Sequence, residues 1–121
     1  MQRIRIGMGT LPVEFLPRFG NRHGLIAGAT GTGKSVSLMV LAENYARLGV
    51  PVFLADVKGD LAGLSQAGTM NPVIEKRVDL LGLDQYRNEA SPVVLWDMFG
   101  ELGHPVRSTV SQIGPTLLAR I

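Results

Sequence analysis

Apolar and polar positions alternate weakly from Arg3 to Met8, which predicts an edge strand, and turn-prone Gly9 and the Leu11-Pro12 break follow it. Phe19-Gly20-Asn21-Arg22 reads as a further turn. Gly24–Ala27 is a short apolar strand that runs straight into a glycine-rich stretch. From Ser35 to Leu48 the period becomes helical. Leu38, Leu41, Ala42, Tyr45 and Leu48 share one face, which Val36, Met39 and Val40 broaden. Arg47 and Gly49 supply a C-terminal signal. Val50–Ala55 is a continuous apolar run, with Pro51 suited to an edge or a first strand position. Strand, loop, helix and strand in this order predict a right-handed βαβ unit with parallel strands covered on both faces.

Beyond it the pattern is less regular. Asp60–Gln66 reads as a short helix. Pro72–Leu81 is a better one, with Asn71 as cap, Pro72 in first position, Glu75 early and Gly82 after the end. Pro92–Trp96 is a third apolar strand, ending at Asp97. Val110, Ile113, Leu117 and Ile121 keep helical spacing across Ser108–Ile121, interrupted by Pro115. This periodicity reaches Ile121 without a closing signal, which points to a piece of a longer protein.

Within this frame, Gly28-Ala29-Thr30-Gly31-Thr32-Gly33-Lys34-Ser35 fits the phosphate-cradling pattern Gly-x-x-x-x-Gly-Lys-Ser/Thr between a strand and a helix. Glycines let the backbone curl so that successive N–H groups converge on phosphate oxygens, and the helix end adds unsatisfied amides and positive dipole. The pattern assigns Lys34 to the β- and γ-phosphates of a nucleoside triphosphate as the catalytic residue and the Ser35 hydroxyl to Mg²⁺. The dinucleotide fingerprint is not met, because Val36 stands three residues after Gly33. Asp56, at the end of the strand after the helix, has two readings: a group near Mg²⁺ or nucleotide, or a turn residue capping the strand end. Asp97 occupies a parallel position, but no carboxylate follows it directly. Lys58 reads first as a solvated surface residue. Hydrolysis would need a metal-holding acid, a water-orienting group and often an arginine. No complete set is visible, so catalysis by this segment alone is not expected.

Composition changes this picture little. At 121 residues, 45% hydrophobic and 18% charged, the chain suits one small globular domain, and its fifteen glycines and seven prolines imply many turns. The net charge is +2, with Arg3, Arg5, Arg18 and Arg22 ahead of the loop. Such a group either solvates a surface or meets an anionic partner such as nucleic acid. Absence of cysteine excludes disulfides and thiol chemistry, and His23 and His104 lack ligand-like spacing. No apolar run has the length of a membrane span, and a cytoplasmic protein is the default expectation.

Three segments carry a resemblance to a known family: the Gly28–Ser35 loop, the run from Val52 to Leu64, and the run from Val94 to Arg107. Together they resemble the HerA-like P-loop ATPases of the wider FtsK/HerA group, and most closely the YjgR-like branch. The resemblance implies an α/β fold of the ASCE/RecA-like kind, a P-loop NTPase core with a parallel sheet, present only in part. It divides the chain into an N-terminal segment, 1–23, and the first part of the ATPase domain, 24–121. It further implies a Mg-ATP-binding segment of an ATPase, a DNA-translocating motor at full length and a hexameric homo-oligomer, with no membrane partner. The second metal-binding motif and the arginine finger would lie beyond Ile121. A nucleotide-gated binding module or inactive scaffold is the alternative, and a small-molecule P-loop kinase or a GTPase is less favoured.

Overall fold

The computed structural model describes residues 2–109, 111, 114, 115 and 119; the expected helical positions Val110, Ile113, Leu117 and Ile121 lie outside them. Strands β1 (Ile4–Met8) and β2 (Pro12–Phe15) form an antiparallel hairpin that pairs Ile4 with Phe15 and Met8 with Pro12. Ile6 sits at a register irregularity between Arg5 and Gly7. Arg5 and Glu14 stand directly opposite each other. The Glu14 carboxylate accepts from Arg3 Nη1 at 2.9 Å and lies 3.5 Å from Arg5 Nη2, and the Arg3 bond is the main cause of its lowered pKa.

Helix α1 (Lys34–Arg47) and helix α2 (Pro72–Leu81) end in the same way. After α1, Gly49 takes φ 75°, its N–H donates to the Ala46 carbonyl, and the Val50 N–H donates to the Tyr45 carbonyl. After α2, Gly82 takes φ 59°, its N–H reaches Asp79, and the Leu83 N–H reaches Val78. Each is a left-handed glycine cap that satisfies orphan carbonyls of the last turn. At its start, α2 has the expected Asn71 cap, whose side-chain oxygen accepts from the Val73 and Ile74 N–H groups, both at 3.0 Å. Arg5 adds a tertiary cap. Its Nη1 donates to the Leu81 carbonyl at 2.9 Å and the Gly82 carbonyl at 3.2 Å, tying the hairpin to the end of α2.

The C-terminal half of α1 packs against the hairpin. Tyr45 meets Phe15 edge-on at 6.4 Å, and its hydroxyl donates to the Pro17 carbonyl at 3.1 Å. Gly20 closes the 3-10 turn at Pro17–Phe19 against that hydroxyl, leaving no room for a Cβ. Gly20→Ala is therefore expected to displace Tyr45 and cost about 1–3 kcal/mol, read as a lowered urea midpoint. An unchanged midpoint would show that the turn does not depend on this contact.

Among the described residues the buried apolar core is Ile4, Ala42, Leu61 and Leu64. This small core accompanies a correction of the expected fold class. The RecA-like parallel sheet of the ASCE P-loop core is absent from the described residues, which form two separate two-stranded sheets. Gly24–Ala27 and Val52–Ala55 have the sequence of strands but pair with nothing described, and Leu25 and Phe53 are each 89% exposed. Apolarity predicts that a segment wants cover; pairing requires a neighbour in register, which these segments lack. The third apolar run contributes only β3 (Trp96–Asp97), parallel to β4 (His104–Pro105). The expected helix at Asp60–Gln66 is a 3-10 turn, Ala62–Ser65. No helix among the described residues is long and apolar enough to cross a membrane.

Candidate phosphate-binding loop

Gly28–Ser35 forms one continuous loop entering α1. Gly31 and Gly33 adopt φ 80° and 90°, left-handed conformations that glycine reaches without strain. At Gly28 the requirement is space, since a Cβ would lie 2.6 Å from Thr32 Oγ1. The first helical bond runs from the Ser37 N–H to the Gly33 carbonyl at 2.9 Å, and the Ser37 hydroxyl backs it at 3.1 Å. Gly33 offers no side-chain cap, so the first-turn amides of Lys34, Ser35 and Val36 keep the donor character of a helix start.

The loop closes on its own Ala29 carbonyl, which accepts from Lys34 Nζ at 2.7 Å, Thr32 Oγ1 at 2.7 Å and the Thr32 N–H at 3.4 Å. Lys34 is half-buried, whereas Ala29, Thr30 and Ser35 are exposed. The loop thus combines one cation, Lys34, with the uncapped amides of a helix start in a solvent-accessible stretch. That combination suits an anion of phosphate size.

Asp56 is engaged elsewhere. Its Oδ1 accepts from the Lys58 N–H at 3.2 Å and the Gly59 N–H at 2.9 Å, and its Oδ2 accepts from the Leu61 N–H at 2.8 Å. These bonds, that of Leu61 first, hold its carboxyl below the usual range. Among the described residues no hydrogen bond joins Asp56 to the glycine loop. Asp97 repeats the device. Its Oδ1 accepts from Phe99 at 3.0 Å, and its Oδ2 accepts from Glu101 at 2.8 Å and Leu102 at 3.1 Å, again with a lowered pKa. In both turns the glycine three residues on is left-handed, Gly59 at φ 79° and Gly100 at φ 72°. The signal stands in the sequence as Asp-x-x-Gly-(Asp/Glu)-Leu, once at Asp56–Leu61 and once at Asp97–Leu102. Reading each aspartate singly for metal chemistry misses it.

The other candidates are also dispersed. His104 stacks at 6.0 Å beside Trp96, and Arg18 lies 4.6 Å over the Phe19 ring. A shallow hollow of about 470 Å³ beside β3 and β4 is lined by Val93, Val94, Leu95, Leu102, Gly103 and His104, and no residue of the glycine loop reaches it.

Compared with known proteins, residues 2–121 match the family model described as helicase HerA-like C-terminal. No curated protein and no solved structure matches the chain. The match supports the HerA-like resemblance and corrects what was drawn from it. It assigns the chain to the C-terminal domain of HerA-like proteins, not to an ATP-binding core, so the reading as a Mg-ATP-binding ATPase segment does not stand. ATP and Mg²⁺ fall as cofactors with it, and among the described residues no group of three or more His, Asp or Glu side chains could hold a metal ion. With a match over 2–121, the chain belongs to the helicase HerA-like C-terminal family.

Proposed function

We propose that the chain is a phosphate-binding module of a HerA-like protein, using Gly28–Ser35 to hold a phosphoryl group without turning it over. The observation that carries this reading is the loop itself: two left-handed glycines and an uncapped helix start, with Lys34 Nζ at its centre. Inorganic phosphate and the phosphodiester of DNA share the chemistry this loop would recognise. DNA is the partner that HerA-like membership favours for the full-length protein, and a homo-oligomer is the assembly it favours.

The test is an amide NMR titration of the chain with inorganic phosphate in one arm and a short single-stranded oligonucleotide in the other. Shifts confined to Gly31–Val36 are expected, and added salt should weaken the oligonucleotide arm more steeply. Lys34→Ala should weaken phosphate binding about tenfold, the scale of one charge-assisted bond. Silence of these amides at millimolar phosphate, or binding indifferent to Lys34→Ala, would overturn the proposal. Shifts with phosphate alone would assign the loop to a free phosphorylated ligand rather than a nucleic-acid backbone.

A further inference from the structure

We infer that Thr32 is a positioning residue of the glycine loop: its hydroxyl fixes the Ala29 carbonyl, which in turn holds the Lys34 ammonium where a phosphoryl group would meet it. The inference rests on the reading of Gly28–Ser35 as a phosphate-binding loop and adds to it the group that keeps the cation in place. The pattern Gly-x-x-x-x-Gly-Lys-Ser/Thr leaves position 32 free, so this role belongs to the threonine of this chain.

A lysine stem is long and flexible, and holding it in one conformation costs entropy. A fixed acceptor inside the loop offsets that cost before any ligand arrives. Here the acceptor is the Ala29 carbonyl, 2.7 Å from Lys34 Nζ. A carbonyl in an exposed, glycine-rich stretch keeps its direction only if something else holds its peptide. Thr32 does so at two atoms, since its Oγ1 donates to the same oxygen at 2.7 Å and its N–H at 3.4 Å. The two short bonds match the two lone pairs of that oxygen, and an ammonium engaged once keeps two N–H donors for a phosphate. Gly28 completes the set. A Cβ there would come within 2.6 Å of Thr32 Oγ1, so the missing side chain leaves the space in which the hydroxyl turns across the loop.

The test compares Thr32→Val, which keeps the branched shape and removes the hydroxyl, with Thr32→Ser, which keeps the hydroxyl. Inorganic phosphate is titrated into each chain, and the Lys34 side-chain ammonium signal is followed by NMR before phosphate is added. Thr32→Val should weaken phosphate binding about fivefold, the scale of one neutral hydrogen bond. It should also speed solvent exchange of the Lys34 ammonium protons in the free chain. Thr32→Ser should match the parent chain in both readouts. Thr32 is exposed, and retained protection of the α2 amides would show that both variants fold. Equal phosphate affinity of Thr32→Val and the parent chain would overturn the inference and leave the phosphate reading standing. Weaker binding with an unchanged Lys34 signal would also overturn it, and would make Thr32 a direct ligand contact. A parent chain that does not bind phosphate would overturn both.

Discussion

Ile4→Ala is expected to cost about 2–4 kcal/mol, the usual range for emptying a fully buried aliphatic site. Ile4 is 2% exposed, the most deeply buried member of a core that otherwise comprises Ala42, Leu61 and Leu64 among the described residues. It also pairs with Phe15, whose ring supports Tyr45 on α1, so the cavity would open where the hairpin meets the helix. Small domains have about 5–15 kcal/mol of stability in total, and a core this small places the chain low in that range. Urea unfolding followed by circular dichroism should show a lower midpoint at an unchanged slope. Ile6→Ala is the comparison, because Ile6 is 44% exposed on the same strand and should cost under about 1 kcal/mol. Equal effects at the two positions would place the core elsewhere.

What the sequence revealed, and what it did not, divides along the range of the interactions. Helix α2 was legible to the residue, since Asn71, Pro72 and Gly82 act on amides and carbonyls within four positions of themselves. Helix α1 was legible for the same reason at Gly49. The expectation of a parallel sheet failed because it needed long-range pairing. Val52–Phe53–Leu54 has the apolarity of a buried strand, but nothing in that run names its neighbour. Arg5 illustrates the converse. As a surface cation it looked like solvation or an anion contact, and its actual partners are carbonyls 76 and 77 residues away. The glycine loop lies between these cases. Its backbone conformation follows from local glycine positions, whereas the nucleotide and metal attached to it depended on assigning the chain to an ATPase core, and the family match removes that assignment.

Acid should dismantle the two aspartate turns together, and to different effect. Each carboxylate uses both oxygens as acceptors while ionised, protonation turns one of them into a donor, and each has a folded-state pKa lowered below its ordinary value, near 4. The stabilisation is therefore complete above the unfolded pKa and is lost as pH falls below about 4 through the folded values. Glu14, lowered by Arg3 and Arg5, acts in the same direction. Glu43 opposes them, since burial raises its pKa and protonation favours its folded form. Three groups against one predict net loss of stability between about pH 4 and pH 2. The consequences differ because Leu61 is buried whereas Leu102 is 83% exposed. Asp56→Asn leaves one acceptor oxygen for N–H groups that two oxygens now hold, so it should weaken the turn that carries buried Leu61 and lower global stability at pH 7. Asp97→Asn should speed exchange at Glu101 and Leu102 and leave the urea midpoint almost unchanged. Each substitution should also flatten its own turn's pH response, followed by amide exchange from pH 6 to pH 2. A midpoint indifferent to Asp56→Asn, or exchange at Leu61 unchanged down to pH 2, would mean that this turn is held by its glycine and apolar contacts rather than by the carboxylate.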